Sequence, residues 1–152
     1  MAEFTSNAVQ QVQLNSPILF NSALPACKCS NRIYHENGSG IFLLQGPGMA
    51  NRLPYADYQV TFNGNIAVPE GGTAGPIAVV ITLNGEPRLA SRAIVTPAAV
   101  DTYDNVTSTA IIRVPRGCGC FSVSVEYISG TDDPTATPAP IINVQNANLV
   151  IE

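Results

Sequence analysis

Residues 58–87 read YQVTFNGNIAVPEGGTAGPIAVVITLNGEP, and their pattern decides the fold. Tyr58, Val60, Phe62, Ile66 and Val68 fall on one side of a two-residue repeat, and Gln59, Thr61, Asn63 and Asn65 fall on the other. Successive side chains of a strand point to opposite faces, so this alternation predicts a half-buried β-strand. A Gly-rich turn covers residues 69–76. Ile77, Val79, Ile81 and Leu83 then alternate with Ala78, Val80 and Thr82 in a second strand, closed by Asn84-Gly85, a pair that tolerates positive φ. Strand, turn, strand, turn with no helical period predicts an antiparallel all-β domain. Gly64 is the one glycine inside a strand; it is expected to bulge the strand or to admit a second backbone.

On the N-terminal side, residues 1–8 read as a short polar arm and residues 9–14 as a weak first strand ended by Pro17. Residues 15–152 then form one domain. Residues 18–20 are an apolar piece for a core edge. Two short strands, 33–35 and 41–44, flank the turn signal Asn37-Gly38-Ser39-Gly40. On the C-terminal side, strands are expected at 88–95, at 108–114 with Ala110, Ile112 and Val114 inward, and at 121–127 with Phe121, Val123, Val125 and Tyr127 inward. Residues 129–140 read as an exposed loop. The last strand, 141–152, carries Ala147, Leu149 and Ile151 on one face but Ile142 and Val144 in the opposite phase, which calls for a bulge or burial on both faces. Eight to ten short strands are most economically buried as two packed sheets, a jelly-roll β-sandwich.

The 152 residues suit one domain with a substantial core, and 45% of them are hydrophobic, enough to fold. Only 12% are charged, about half the usual share, so the polar surface is built mostly of Asn, Gln, Ser and Thr. Such a surface is cheap to dehydrate in an assembly. A net charge of −4 with scattered cations argues against nucleic-acid binding. No apolar run reaches the length of a membrane span. The opening MAEFTSNAVQQ lacks the basic and apolar regions of a secretory signal, so a role outside a cell would call for release by lysis, by another export route or as part of a particle.

Few residues could carry chemistry. The cysteines form two C-x-C pairs, Cys27/Cys29 and Cys118/Cys120. They allow a disulfide tying the two loops, free thiols, or a four-thiolate zinc site, and the single intervening residue argues mildly against zinc. His35, beside Glu36, is the one general-base candidate, and no nucleophile turn accompanies it. Asp101, Asp104 and Asp132-Asp133 lack the spacing of a calcium loop and read as solvated turn acids. No metal, cofactor or catalytic residue is expected, and the protein is expected not to be an enzyme. Tyr55, Asp101, Tyr103 and Asn105 are candidate surface-loop contacts for a glycan or a partner.

Three stretches carry a family resemblance: residues 56–62 (ADYQVTF), residues 108–115 (STAIIRVP) with Phe121 to Val125, and residues 144–151 (VQNANLVI). Together they resemble the trimeric jelly rolls of the tumour-necrosis-factor (TNF) and complement-globular-head superfamily. Within it they look most like the bacterial branch at the tip of spore-surface collagen-like glycoproteins and in phage and prophage structural proteins. The resemblance covers nearly the whole chain but rests on loose patterns, and no Gly-X-Y stalk accompanies it. It implies a homotrimer whose interface strands carry Tyr58, Val60, Phe62, Ile112, Val144, Leu149 and Ile151. It further implies a structural protein on a virion or another extracellular or cell-surface particle, such as a head-decoration or fibre component. Docking to a capsid or other particle protein would fall to the arm in residues 1–14. The alternative is a lectin-type module that binds host-surface glycans.

Overall fold

Apolar residues at every second position need a dry layer to face, and two sheets stacked face to face supply one. The computed structural model describes residues 1–23, 32–117 and 120–152. In chain order these hold β1 (Ala2–Ser6), β2 (Gln10–Gln13), β3 (Ser22–Ala23), β4 (Ile33–His35), β5 (Phe42–Gln45) and β6 (Tyr55–Ala67). There follow β7 (Ile77–Leu83), β8 (Glu86–Pro87), a 3₁₀ turn at Leu89–Ser91, β9 (Ala93–Val95), β10 (Asp104–Pro115), β11 (Cys120–Ser129) and β12 (Ile141–Ile151). One antiparallel sheet runs β10-β6-β12-β1-β3, with β2 also on β12; the other runs β4-β5-β11-β7-β8, with β9 also on β7. No α-helix occurs among the described residues.

The expected alternation holds in β6, β10 and β12; in β7 it does not, because Ala78, Val80 and Thr82 are as buried as Ile77, Val79 and Ile81. Val60, Phe62, Ile66, Ile77, Val79 and Ile81 are fully buried between the sheets, with Val125 and Tyr127 of β11. Asn84 and Gly85 both take positive φ, 52° and 81°, as the β7–β8 turn requires. Gly64 neither bulges β6 against β10 nor admits a backbone: it pairs with Val106, and a Cβ there would lie 2.8 Å from the tip of the Phe62 ring. The glycine makes room for a core aromatic two residues away.

Three expectations change, and one of two alternatives is settled. Residues 1–8 are not an arm, because Ala2–Ser6 pairs with β12 on one side and β3 on the other, and Phe4 is buried. With Val12 of β2 also buried, residues 1–14 belong to the first sheet. Residues 88–95 are not one strand: a 3₁₀ turn takes Leu89–Ser91 and only Ala93–Val95 pairs with β7. The phase change of β12 is absorbed by a bulge between Gln145 and Asn148, where Asn146 has φ 52°. The bulge turns Ile142, Val144, Ala147, Leu149 and Ile151 all toward the core, so this strand has one dry face and not two.

The last change concerns Tyr58, Val60, Phe62, Ile112, Val144, Leu149 and Ile151. Their side chains are buried inside the subunit, none more than 6% exposed. These strands can meet another chain only through the residues between them. The cysteine readings fall on Cys27, Cys29, Cys118 and the side chain of Cys120, outside the described residues.

Candidate functional site

The outward residues of β6 and β10 face each other in register: Asn65 with Asn105, Asn63 with Thr107, Thr61 with Thr109, Gln59 with Ile111, Asp57 with Arg113. β12 and β1 extend this face with Gln145, Asn148, Val150, Thr5 and Glu3. Neutral amides and hydroxyls dominate it because outward positions of these strands carry Asn, Gln and Thr. They bond one another across strands. Asn63 Nδ2 donates to Thr107 Oγ1 at 2.8 Å and to Asn105 Oδ1 at 3.2 Å. Asn105 Nδ2 donates to Asn65 Oδ1 at 3.1 Å, and Thr109 donates to Thr61. Asn148 donates to Glu3. Asn143 Oδ1, on β12, is buried with no hydrogen-bond partner among the described residues.

Charge gathers at one end of the face. Arg113 makes a bidentate pair with Asp57, both contacts 2.8 Å, and its guanidinium lies 3.8 Å over the Tyr55 ring. The Arg113 hydrogen bonds hold the Asp57 carboxyl below its ordinary range and, in return, raise the guanidinium.

Beside this face, β10 forms the edge of its sheet: among the described residues it pairs only with β6. Along that edge Pro87, Leu89, Ala90, Thr109, Ala110 and Ile111 line an open groove. Ile111 is 66% exposed and Leu89 64%, the largest exposures among the aliphatic side chains of the two sheets and their 3₁₀ turn. The groove keeps its shape through Ser91. Its hydroxyl donates to Arg88 O (2.8 Å) and accepts from Ile81 N–H (3.0 Å), while its carbonyl accepts from Ser108 Oγ. One buried serine thus ties the 3₁₀ turn to both sheets.

The same arrangement of two sheets occurs in solved structures. The globular domain of zebrafish complement 1qA protein superposes with a TM-score of 0.56 at 16% identity, over 97% of this chain and 92% of that one. The Eiger TNF from S. frugiperda superposes with a TM-score of 0.64 at 14% identity, over 99% and 90%. Murine APRIL gives 0.54 at 8% identity, over 97% of each chain. The chain has the TNF/C1q-like jelly-roll fold. No family model and no curated protein matches its sequence.

On this jelly roll the candidate contacts do not converge. Tyr55 opens β6 opposite Pro115, while Asn105 pairs with Asn65 at the other end of the strand. Ten residues along β6 separate the two positions, about 33 Å at the rise of a strand. Asn105 is a strand residue, held by the amide network, and not part of a loop. Asp101 and Tyr103 lie with it, Asp101 N–H donating to Val68 O. A glycan site made of all four is therefore not assembled within one subunit. His35 packs as an aromatic: its ring stacks on Phe42 at 4.2 Å and meets Phe4 edge-on at 5.0 Å. Both ring nitrogens lie 3.2 Å from backbone carbonyls, of Ile41 and Phe20. Among the described residues no cluster of three or more His, Cys, Asp or Glu could hold a metal. The exposed pair Leu89 and Ile111 escapes sequence reasoning. Its signal was a large aliphatic at an outward position, Ile111 between Ala110 and Ile112.

Proposed function

We propose that this chain is a non-enzymatic structural protein, a homotrimer in which the β10 edge of each subunit packs against the outer face of β6, β12 and β1 of the next. The exposed Leu89–Ile111 edge carries this reading. An aliphatic pair on a free sheet edge invites a partner, and a second copy offers a hydrogen-bonded face of amides and hydroxyls on which Asp57 and Arg113 are paired and Glu3 is held by Asn148. The contact joins two different surfaces, which give a closed ring when the rotation between copies divides a full turn, and three copies are what the resemblance to TNF and complement globular heads implies. Burying Leu89 and Ile111 contributes about 1–2 kcal/mol each, and amide contacts around them form the rim. Display on a virion, spore or other cell-surface particle fits the sparse charge. Ala2–Ser6 and Gln10–Gln13 are held in the sheet and are not free to dock as an arm.

The test is to replace Ile111 and Leu89 by Asp and compare sedimentation with the unaltered protein. The altered chain is expected to sediment as a single subunit with an unchanged β-sheet spectrum. Unchanged sedimentation of an assembled variant would place the contact elsewhere.

A further inference from the structure

Charge is distributed unevenly along the strands. The tip formed by residues 47–57 and 113–117 holds three Arg and one Asp, and the rest of the chain holds four cations against ten acids. Loops at the opposite end carry Glu70, Asp101 and Asp133, with Asp132 paired to Arg92 at 2.8 Å. The two segments of the cationic tip brace each other. Arg116 N–H donates to Pro54 O at 2.8 Å and Gly117 N–H to Pro47 O at 3.0 Å. Asn51 Oδ1 accepts from Leu53 N–H, and Arg116 Nη1 donates to Asn51 O at 3.1 Å. Gly46 lets the segments approach so closely that a Cβ there would overlap the Pro115 carbonyl.

At the apex of this braced tip two apolar side chains stand in solvent beside the arginines: Met49 is 77% exposed and Leu53 56%. Arg52 is exposed and makes no hydrogen bond or ion pair among the described residues. Among the described residues the tip thus sets one unpaired guanidinium, Arg52, and a second, Arg116, bonded only to a backbone carbonyl, beside two solvated aliphatic groups. Cations flanking protruding apolar groups match one kind of surface, an anionic leaflet with headgroups outside and acyl chains beneath. A soluble polyanion matches the arginines but offers nothing to Met49 and Leu53.

We infer that the Met49–Leu53 tip docks on a lipid surface bearing anionic headgroups, Arg52 and Arg116 meeting phosphates while Met49 and Leu53 enter the interface. The acidic opposite end is repelled and points the molecule outward. The tip is built within one subunit, so the docking does not depend on the trimer; assembly only multiplies it by placing three tips on one particle.

The experiment is co-sedimentation of the full chain with phosphatidylcholine vesicles, with vesicles of equal parts phosphatidylcholine and phosphatidylserine, and with the latter plus dextran sulfate. Light scattering on every variant reads assembly separately. Binding is expected only to the anionic vesicles, weakening with salt. Arg52→Gln, which removes no hydrogen bond within the described residues, is expected to lower the partition coefficient about fivefold per subunit. Met49→Ser with Leu53→Ser is expected to lower it further while the thermal midpoint stays unchanged. No binding to anionic vesicles would overturn the inference. So would binding that Arg52→Gln weakens but the serine pair does not, since that is the behaviour of a plain polyanion site.

Discussion

Ser91 shows how much one small side chain can hold. It is 6% exposed, and its hydroxyl and carbonyl together serve Arg88, Ile81 and Ser108 on three separate elements. Ser91→Ala leaves the Ile81 N–H buried without a partner, and is expected to cost about 1–3 kcal/mol in urea unfolding. Ser91→Gly removes the same hydroxyl and should cost at least as much. Tyr127 makes a different point. Its ring is buried in the core and its hydroxyl donates to Ala139 O at 2.6 Å. Burial pushes its pKa from 10.0 up to about 12. The folded state therefore holds this proton more tightly than the unfolded chain does. Its contribution to stability is complete below pH 10 and is lost as pH rises from 10 to about 12. Urea midpoints measured across that window should fall, and should fall less steeply in Tyr127→Phe. Tyr58, also raised by burial, keeps part of the slope.

At the scale of elements, the bulge in β12 depends on one left-handed residue. Asn146 at φ 52° is exposed, so its backbone and not its packing decides what is tolerated. Asn146→Val is expected to cost about 1–2 kcal/mol and Asn146→Gly to be neutral or slightly stabilising, read from thermal midpoints. The bulge was legible in the sequence as a change of phase between Val144 and Ala147. β6 was legible for the same reason: a long strand lets an alternation stand out. β7 was legible as a strand but not in its burial, since both of its faces are covered. β1 was not. Ala2–Ser6 offers a single large apolar residue, Phe4, and its strand character comes from two neighbours far away in sequence. Residues 88–95 misled because Leu89, Ile94 and Val95 suggest a strand, whereas the buried group of the first half is Ser91, held by hydrogen bonds that no periodicity records. The candidate site was the least legible part. Whether Ile111 is core or surface depends on which strand lies beside β10, and that follows only from the assembled sheet.

At the scale of the whole molecule, three features are arranged on different sides: an amide and hydroxyl face, an aliphatic edge beside it, and a cationic tip at one end of the strands. The strand sandwich accounts for its own hydrophobic residues, the last strand included, so assembly is not needed to shelter the core. The Leu89–Ile111 edge is the surface we assign to a neighbouring subunit, and the Met49–Leu53 tip the one we assign to lipid. Opposing that edge to the neutral face also fixes where polar substitutions will be felt. Thr61→Arg, on the outer face, should weaken assembly by placing charge opposite an aliphatic strip. Glu86→Gln, on the short β8 strand of the other sheet, should leave assembly unchanged. Sedimentation of both variants checks the pair.

The most direct measurement is the mass of the unaltered protein in solution by light scattering, followed through serial dilution with reductant present. Three 16.0 kDa chains give about 48 kDa, and that mass, held until dilution releases single subunits, is the expected result. A mass of 16.0 kDa at every concentration would contradict the account.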